Sequence, residues 1–445
     1  MFAPIPVIRR QLRAMIVDKE DEGYQVDGLV EDLAATPDDY QRLYALGVKI
    51  NAAPLRHDWS FVEPNALEEI HAEQAHAGVG ASGNHLPLGE LQERARAGFL
   101  GSVAGCILGK PVEIMGDLAE LRNALSKVGD WPLNDYISER LVRDGGLREF
   151  NHDWPETVRE NIHFVAADDD INYTLLGLMT LEKYGRDFTK ADLRRMWVEN
   201  IVLGYAWGPE KGFLAKQALA MAFEDDPEQD LEVLMDTFNP LEEYCGAMIR
   251  ADAYGYAALG HPDIASDLAW RDASLTHRKT GVYATMFAAA AIAAAATAKD
   301  PLDIFETALA YVPQRSRFHA VASDSLAIVW ESSSWVDAYD AIHGRYGDYG
   351  HCRIFQEIGT LMNTARFAED VGHGICLQVS QGNDTDSFGD TAGAILGVWF
   401  GPGHLEERWI TPFNDTLQTR LAGYYESSLA ATADRIAALP ALTNS

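Results

Sequence analysis

Three observations in the sequence predict an all-α protein. Apolar residues recur at helical spacing along most of the chain, as Ile171, Leu175 and Leu178 do after an acidic triplet. Helix start signals recur as well, for example Asp300 followed by Pro301. The alternation of apolar and polar residues that marks a strand is scarce, and only residues 141–150 suggest a short hairpin. We therefore expect helices packed on helices.

The composition is that of a soluble globular chain with an acidic surface. With 445 residues, 47% of them hydrophobic, the chain is long enough for a sizeable core in one large or two or three ordinary domains. Lys+Arg 36 against Asp+Glu 67 gives a net charge of −31, which opposes binding to nucleic acid and to anionic membranes. A small polyanionic ligand stays compatible with this charge, because local cations or a bound metal can invert the local field. The oligomeric state is not indicated.

The four cysteines give no metal-binding or disulfide pattern. They are widely spaced, at positions 106, 245, 352 and 376, and form no C-x-x-C pair. The N-terminus does not resemble a secretory signal, because charged residues soon interrupt its apolar part. We therefore expect a reduced, cytoplasmic protein.

Two short helices are predicted near the N-terminus. Residues 36–39 combine an N-cap, a proline at the first helical position and acids in the first turn, which predicts a helix to about Leu46 that ends at Gly47. A second short helix is predicted over residues 65–76.

A Gly-rich run at residues 77–84 marks the predicted domain boundary. We expect residues 1–85 to form a helical extension of unknown role and residues 86–445 to form the main domain. The sequence leaves open whether the extension folds separately or packs on the main domain.

Two glycine stripes predict unusually close helix contacts. Each glycine in a helix costs about 1 kcal/mol relative to alanine, so several on one face suggest a contact that compensates. One stripe has spacings of three, four and four residues, and the other recurs every four residues. They comprise Gly98, Gly101, Gly105 and Gly109, and Gly389, Gly393 and Gly397.

Further helices are predicted along the main domain. The alanine-rich residues 281–298 carry no charge and just reach bilayer length, but alanine favours a buried helix over a membrane span. Capping signals predict helices that start near Thr189 and at Pro262. The last helix is predicted over residues 416–438.

Two acidic clusters stand at predicted helix N-termini. Asp168, Asp169 and Asp170 open one helix, and Asp384 and Asp386 open the Gly-rich one. Each cluster alone is compatible with an ordinary cap or turn. Carboxylates and a serine hydroxyl also suit Mg²⁺ or Mn²⁺, and bringing five aspartates together calls for cations. Two divalent ions roughly 3.5–4 Å apart would neutralise them.

Residues 105–113 read G-C-I-L-G-K-P-V-E, and residues 382–387 read G-N-D-T-D-S. On these motifs the sequence, over roughly residues 91–405, resembles the ADP-ribosylglycohydrolases, which include the dinitrogenase-reductase-activating glycohydrolases and the ADP-ribosylhydrolases of animals. The family signature G-D-x-x-G-x-x-x-E is matched by residues 105–113, with Cys106 in place of the aspartate. The signature G-G-D-T-D-[TS] is matched by residues 382–387, with Asn383 in place of the second glycine.

The family's T-D-D-T signature is the most altered. Aligning residues 168–171 with it keeps Thr174 and Leu175 in register and puts Asp168 where the family has a threonine ligand, whereas sliding by one residue puts Ala167 there. The first alignment preserves six oxygen-bearing positions, and its extra carboxylate should tighten metal binding. The implied metal ligands are Asp168, Asp169, Asp170, Asp384, Asp386 and Ser387.

The resemblance implies a compact orthogonal multi-helix bundle and a hydrolase. In this family two divalent metal ions, Mg²⁺ or Mn²⁺, hold the distal ribose of ADP-ribose while water displaces the group on its anomeric carbon. The implied partner is an ADP-ribose-containing substrate, on a protein, a nucleotide or a small molecule. The linkage cleaved is not indicated.

The resemblance also implies residue roles. Glu113 is a candidate for handling the water or the leaving group, and Asp168 is the rival candidate for that task. Arg250 is equally compatible with a structural ion pair, and His277 is equally compatible with a capping or core role. The implied substrate-binding residues are Arg250, His277, Gly382 and Asn383.

Two other functions stay open. Cys106 and Asp168, as departures from the family signatures, favour a different metal-dependent hydrolase of a ribosyl or phosphoryl substrate on the same scaffold. A non-catalytic binding or structural role, as in family members recruited as lens proteins, predicts damaged ligands, whereas all six positions here carry oxygen.

Overall fold

The computed structural model describes residues 3–75, 86–146, 154–220 and 237–443, and within these ranges the protein is all-α. Isolated β-bridges are the only extended pairings in this described part of the chain. The α-helices described are α1 (Ile5–Asp21), α2 (Leu29–Ala35), α3 (Tyr40–Asn51), α4 (Leu67–Glu73), α5 (Leu88–Gly109), α6 (Leu118–Val128), α7 (Glu139–Asp144), α8 (Asp169–Tyr184), α9 (Lys190–Asn200), α10 (Gly208–Ala220), α11 (Asp252–Ala257), α12 (Pro262–Ala273), α13 (Lys279–Ala295), α14 (Pro301–Leu309), α15 (Arg317–Glu331), α16 (Trp335–Tyr346), α17 (Phe355–Phe367), α18 (Val371–Ser380), α19 (Thr385–Phe400) and α20 (Leu429–Ala438).

The main domain is organised around one fully buried helix and one close helix pair. The alanine-rich helix α13 lies at its centre, and every one of its residues is buried. It is surrounded chiefly by α11, α12 and α14. This confirms the predicted buried helix, and among the described residues no helix is both long and apolar enough to cross a membrane. The other central contact joins α5 and α19.

The two glycine stripes face each other across the α5–α19 contact. A Cβ atom added at Gly101 would lie 2.4 Å from the carbonyl oxygen of Gly393, and one added at Gly105 would lie 1.9 Å from that of Gly389. Residue numbers rise along α5 as they fall along α19, so the helices are antiparallel. The predicted close contact is confirmed, and it places the C-terminus of α5 beside the N-terminus of α19.

Helix α3 runs past its predicted end. It begins at Tyr40, where the Asp39 side chain accepts a hydrogen bond from the Arg42 N–H, as the cap signal predicts. It then continues through Gly47 to Asn51. Gly47 is buried, and a Cβ atom there would lie 2.2 Å from the Phe238 ring. The glycine therefore makes room for a ring and does not end the helix.

Two other sequence predictions were wrong in part. Where a hairpin was predicted over residues 141–150, α7 extends to Asp144, because Ser138 caps this short helix; residues 147–150 lie outside the described part. The helix predicted over residues 416–438 begins only at Leu429. Before it, the Leu417 N–H donates to the Ser427 carbonyl, and this turn-like pairing takes up backbone groups that a helix would need.

The N-terminal extension packs on the main domain. It has a small core of its own, formed by α1, α2 and α3, with Phe238 of the main domain against it. Buried ion pairs cross between the two parts: Glu22 contacts Lys279 at 2.7 Å and Glu63 contacts Arg317 at 2.9 Å. The predicted Gly-rich joint at residues 77–84 lies outside the described residues, so the boundary stays a prediction.

Replacing Gly105 with alanine should destabilise the protein by about 1–3 kcal/mol. The new Cβ would collide with backbone and not with a side chain that can turn away, so the helices must separate. The matched control is Gly89→Ala in the same helix, where nothing lies within 4 Å of an added Cβ and alanine should stabilise by at most about 1 kcal/mol. Denaturant unfolding measures both. Equal effects of the two variants would contradict the close contact.

Replacing Arg317 with methionine should cost about 3–5 kcal/mol of unfolding free energy. It leaves the buried carboxylates of Glu63 and Glu243 without their cation. Arg315→Met is the matched control, because Arg315 also reaches a glutamate of the extension, Glu73, but is largely exposed, so no measurable change is expected. If thermal unfolding shifts alike in both variants, the buried pairs do not hold the extension in place.

Candidate active site

Most of the predicted site residues line one cavity of about 430 Å³. Other cavities, of about 770, 720 and 670 Å³, contain none of them. The apolar wall of the 430 Å³ cavity includes Tyr173, Trp207 and Ile249. Its ionisable and polar lining includes Lys110, Glu113, Asp169, Asp170, Glu210, His351, Asp384, Asp386 and Ser387.

Hydrogen bonds join the end of α5 to the start of α19 at this cavity. The Thr385 hydroxyl donates to the Gly109 carbonyl at 2.8 Å. Beyond it, the Ile114 N–H donates to the Asn383 carbonyl at 2.8 Å, and the Asn383 N–H donates to the Gly116 carbonyl at 3.1 Å. The short 3-10 helix Lys110–Val112 is thereby held against the acidic start of α19.

Gly382 and Asn383 shape this loop and do not line the cavity. Both have positive φ, of 81° and 65°. A Cβ atom at Gly382 would lie 2.1 Å from the Gly116 carbonyl oxygen, so only glycine fits there. Their predicted role in binding substrate stays a prediction.

Asp168 stands immediately before α8 as its N-cap. Its side chain accepts a hydrogen bond from the Asp170 N–H at 3.1 Å, while Asp169 and Asp170 occupy the first turn. Asp168 and Asp170 are almost fully buried. The acidic triplet therefore caps the helix and at the same time forms a buried acidic cluster.

Lys110 connects the two acidic clusters. Its Nζ atom lies 2.6 Å from Asp168 Oδ2, 2.7 Å from Asp386 Oδ2 and 3.2 Å from Glu113 Oε2. Lys110 is not among the residues that the sequence predicts for this site. Its position inside the matched signature, directly after Gly109, is the signal that could have pointed to it.

Burial and mutual repulsion disturb the acidity of the cluster. Burial raises the pKa values of Asp169 and Asp170 well above the usual range, and the nearby Asp168 raises them further. Burial and Asp386 act in the same way on the pKa of Asp384. Burial also opposes ionisation of Asp168, but the Lys110 ammonium holds the pKa of Asp168 below its usual value. The cluster thus carries more carboxylate than the neighbouring cation can balance.

The donor set fits a hard divalent cation. Oδ1 of Asp170 and Oδ1 of Asp386 are buried and have no hydrogen-bond partner. Unpaired buried oxygens are costly, and an ion that prefers oxygen ligands would satisfy them. Glu113, Asp384 and Asp386 each present an oxygen within 4.8 Å of the others'.

Three residues that sequence reasoning missed hold Asp384. Cys245 and Cys352 each donate a thiol hydrogen bond to Asp384 Oδ2, at 3.0 and 3.1 Å. Glu357 accepts from the N–H groups of Cys352, Ile354 and Asp384. No sequence pattern signals these contacts, because the residues are brought together only by the fold.

Arg250 and His277 lie behind the cavity wall. Arg250 donates to Glu210 Oε1 at 3.0 Å, and Glu210 in turn lines the cavity. His277 is fully buried beside Thr276, and burial together with the Arg250 charge lowers its pKa well below the usual value, so its ring is neutral. Arg250 therefore supports Glu210 directly, and His277 Nδ1 lies 3.5 Å from the same Glu210 oxygen. Their predicted contact with substrate stays a prediction.

Known proteins that are similar to this chain support the observed fold. A sequence model described as ADP-ribosylglycohydrolase matches residues 88–442. No curated protein matches the chain. Among solved structures, the chain is similar to one titled "ADP-ribosylglycohydrolase-related protein complex", at 19% identity and a TM-score of 0.51, over 80% of this chain and 99% of the other. At that identity the likeness concerns the fold alone.

Proposed function

Because the chain belongs to the ADP-ribosylglycohydrolase family, we propose that it is a metal-dependent hydrolase that cleaves the glycosidic bond between ADP-ribose and a protein, nucleotide or small-molecule acceptor. One observation carries the proposal. The two acidic helix starts and Glu113, which lie far apart in the sequence, meet around one cavity. Its volume of about 430 Å³ falls within the range usual for small-molecule sites.

We assign the metal to the carboxylates and the serine of the two helix starts. Asp168, Asp169 and Asp170 would hold it from α8, and Asp384, Asp386 and Ser387 from α19. A divalent ion there, Mg²⁺ or Mn²⁺, would supply positive charge that orients sugar hydroxyls and offsets the buried carboxylates.

Glu113 is the proposed acid–base residue. Hydrolysis breaks the bond from the anomeric carbon to the acceptor, adds the water oxygen to that carbon and moves a proton from water to the leaving group. Burial, reinforced by Asp386, raises the pKa of Glu113 to about 7, so this carboxyl can both accept and return that proton near neutral pH. Asp168 is a weaker candidate as a proton donor, because Lys110 favours its ionised form.

The rest of the cavity would position the substrate and limit water. Tyr173, Trp207 and Ile249 offer apolar surface to rings or ribose carbons. Glu210, fixed by Arg250, offers a carboxylate to hydroxyl groups. On this account Arg250 and His277 act on the substrate through Glu210.

A second candidate function is a metal-dependent hydrolase of another ribosyl or phosphoryl substrate. Cys106 in the place of the family aspartate and a lysine inside the acidic cluster both favour it.

The activity prediction is release of free ADP-ribose. The purified full-length chain, supplied with Mg²⁺ or Mn²⁺, should release it from at least one of serine-linked, arginine-linked and nucleotide-linked ADP-ribose, as detected by chromatography. Absence of release from all three while metal is bound would contradict the proposal. Turnover of ribose phosphates instead would favour the second candidate.

The metal prediction concerns the start of α19. Asp384→Asn combined with Asp386→Asn should weaken Mn²⁺ binding at least about 100-fold in calorimetry, because two anionic ligands are lost. Asp390→Asn is the matched control: it is the same change on the same helix at a fully buried aspartate outside the assigned ligands, and it should keep the affinity. An unchanged Mn²⁺ affinity in the double variant would contradict the assignment of these metal ligands.

A further inference from the structure

We infer that the ammonium group of Lys110 permanently takes the place of one of the two cations expected at this site, so that each chain holds a single divalent ion. The inference rests on the proposed function only for the assignment of the metal ligands. It departs from the two-ion centre that the family resemblance implies.

The first argument is the set of contacts of Lys110. An ammonium group has three N–H donors. Here three carboxylates from three segments surround it, at 2.6 Å for Asp168, 2.7 Å for Asp386 and 3.2 Å for Glu113. Asp168 precedes α8 and Asp386 belongs to α19. Lys110 therefore bridges the two ligand clusters, which is what a second cation would otherwise do.

The second argument is that Lys110 is fixed in the interior. Its side chain is 11% exposed. The preceding Gly109 lies so close to α19 that a Cβ atom there would be 2.1 Å from the Thr385 carbonyl oxygen. The following Pro111 restricts the backbone. A swing of the lysine into solvent would leave buried carboxylates without a partner, which is strongly unfavourable.

The third argument is the set of oxygens that stays free. Within the assigned ligands, the buried carboxylate oxygens without a hydrogen-bond partner are Oδ1 of Asp170 and Oδ1 of Asp386. They belong to α8 and α19, one from each side. Asp169, Asp384 and Ser387 line the same cavity and add oxygens of the kind that a divalent ion prefers. A second divalent ion would have to share Asp168 and Asp386 with the ammonium, and like charges at that range repel.

A lysine differs from a metal ion in ways that matter for the site. It cannot be removed by a chelator, so the ends of α5, α8 and α19 stay linked without metal. It also donates hydrogen bonds and does not accept ligands, so only the divalent ion can coordinate sugar oxygens. The site would thus have one fixed cation that organises it and one exchangeable cation that contacts substrate.

The experiment counts Mn²⁺ ions in the full-length chain. After equilibrium dialysis, metal analysis should give one Mn²⁺ per unaltered chain and two per chain of Lys110→Met, in which a side chain of similar length carries no charge. Electron paramagnetic resonance gives an independent readout: an isolated Mn²⁺ signal in the unaltered chain and a spin-coupled pair in the variant. Lys127→Met, at an exposed lysine, is the control and should hold one ion.

Two Mn²⁺ ions in the unaltered chain would overturn the inference, and that measurement stands even where the variant fails to fold. One ion in both the unaltered chain and a folded Lys110→Met would overturn the role of the lysine. No Mn²⁺ at all would overturn the metal site and this inference together. Failure to release ADP-ribose with one ion bound would instead count against the proposed function and leave the single-ion centre standing.

Discussion

The site depends on the contact of backbone against backbone between α5 and α19. The glycines let the two antiparallel helices approach so closely that the end of one meets the start of the other. The C-terminal end of a helix favours a cation and the N-terminal end favours anions. Lys110 follows the C-terminus of α5, and Asp384 and Asp386 stand at the N-terminus of α19. One packing interface therefore sets both the position and the sign of the charges.

A third helix start completes this arrangement. Asp168 caps α8 and at the same time contacts Lys110, so one carboxylate serves the helix and the site. Burying so many carboxylates raises the pKa values of most of them, and a lysine and thiol donors relieve only part of the repulsion. The fold tolerates this unfavourable cluster because tight backbone contacts hold its members in place. Charge concentrated in this way is more typical of a functional site than of a structural one.

The sequence predicted those features that depend on local spacing. Glycines at every third or fourth position mark a helix face, and the acidic clusters mark helix starts, so the close contact and the acidic cavity could be anticipated. Contacts between residues that are distant in the sequence could not be predicted in this way. Cys245 and Cys352 reach Asp384 across 139 and 32 residues, and no periodicity records that. The sequence predicts a helix end at Gly47, but this glycine instead leaves room for the Phe238 ring. That tertiary contact cannot be predicted from local spacing. The late start of α20 reflects pairing of residues 417 and 427, which competes with helix formation.

The two departures from the family signatures are connected in space. In the preferred alignment with the family signatures, Cys106 stands where they have an aspartate and Asp168 where they have a threonine. The Cys106 sulfur and carboxylate oxygens of Asp168 and Asp170 all lie within 4.8 Å of one another. Burial, and then Asp168, raise the pKa of the Cys106 thiol well above its usual value, so it is neutral. Relative to those signatures, position 106 in the last turn of α5 lacks a carboxylate, and position 168, directly before α8, carries one. From there it reaches Lys110 directly. The exchange is consistent with the proposed role of Lys110, because it places a carboxylate 2.6 Å from the ammonium group.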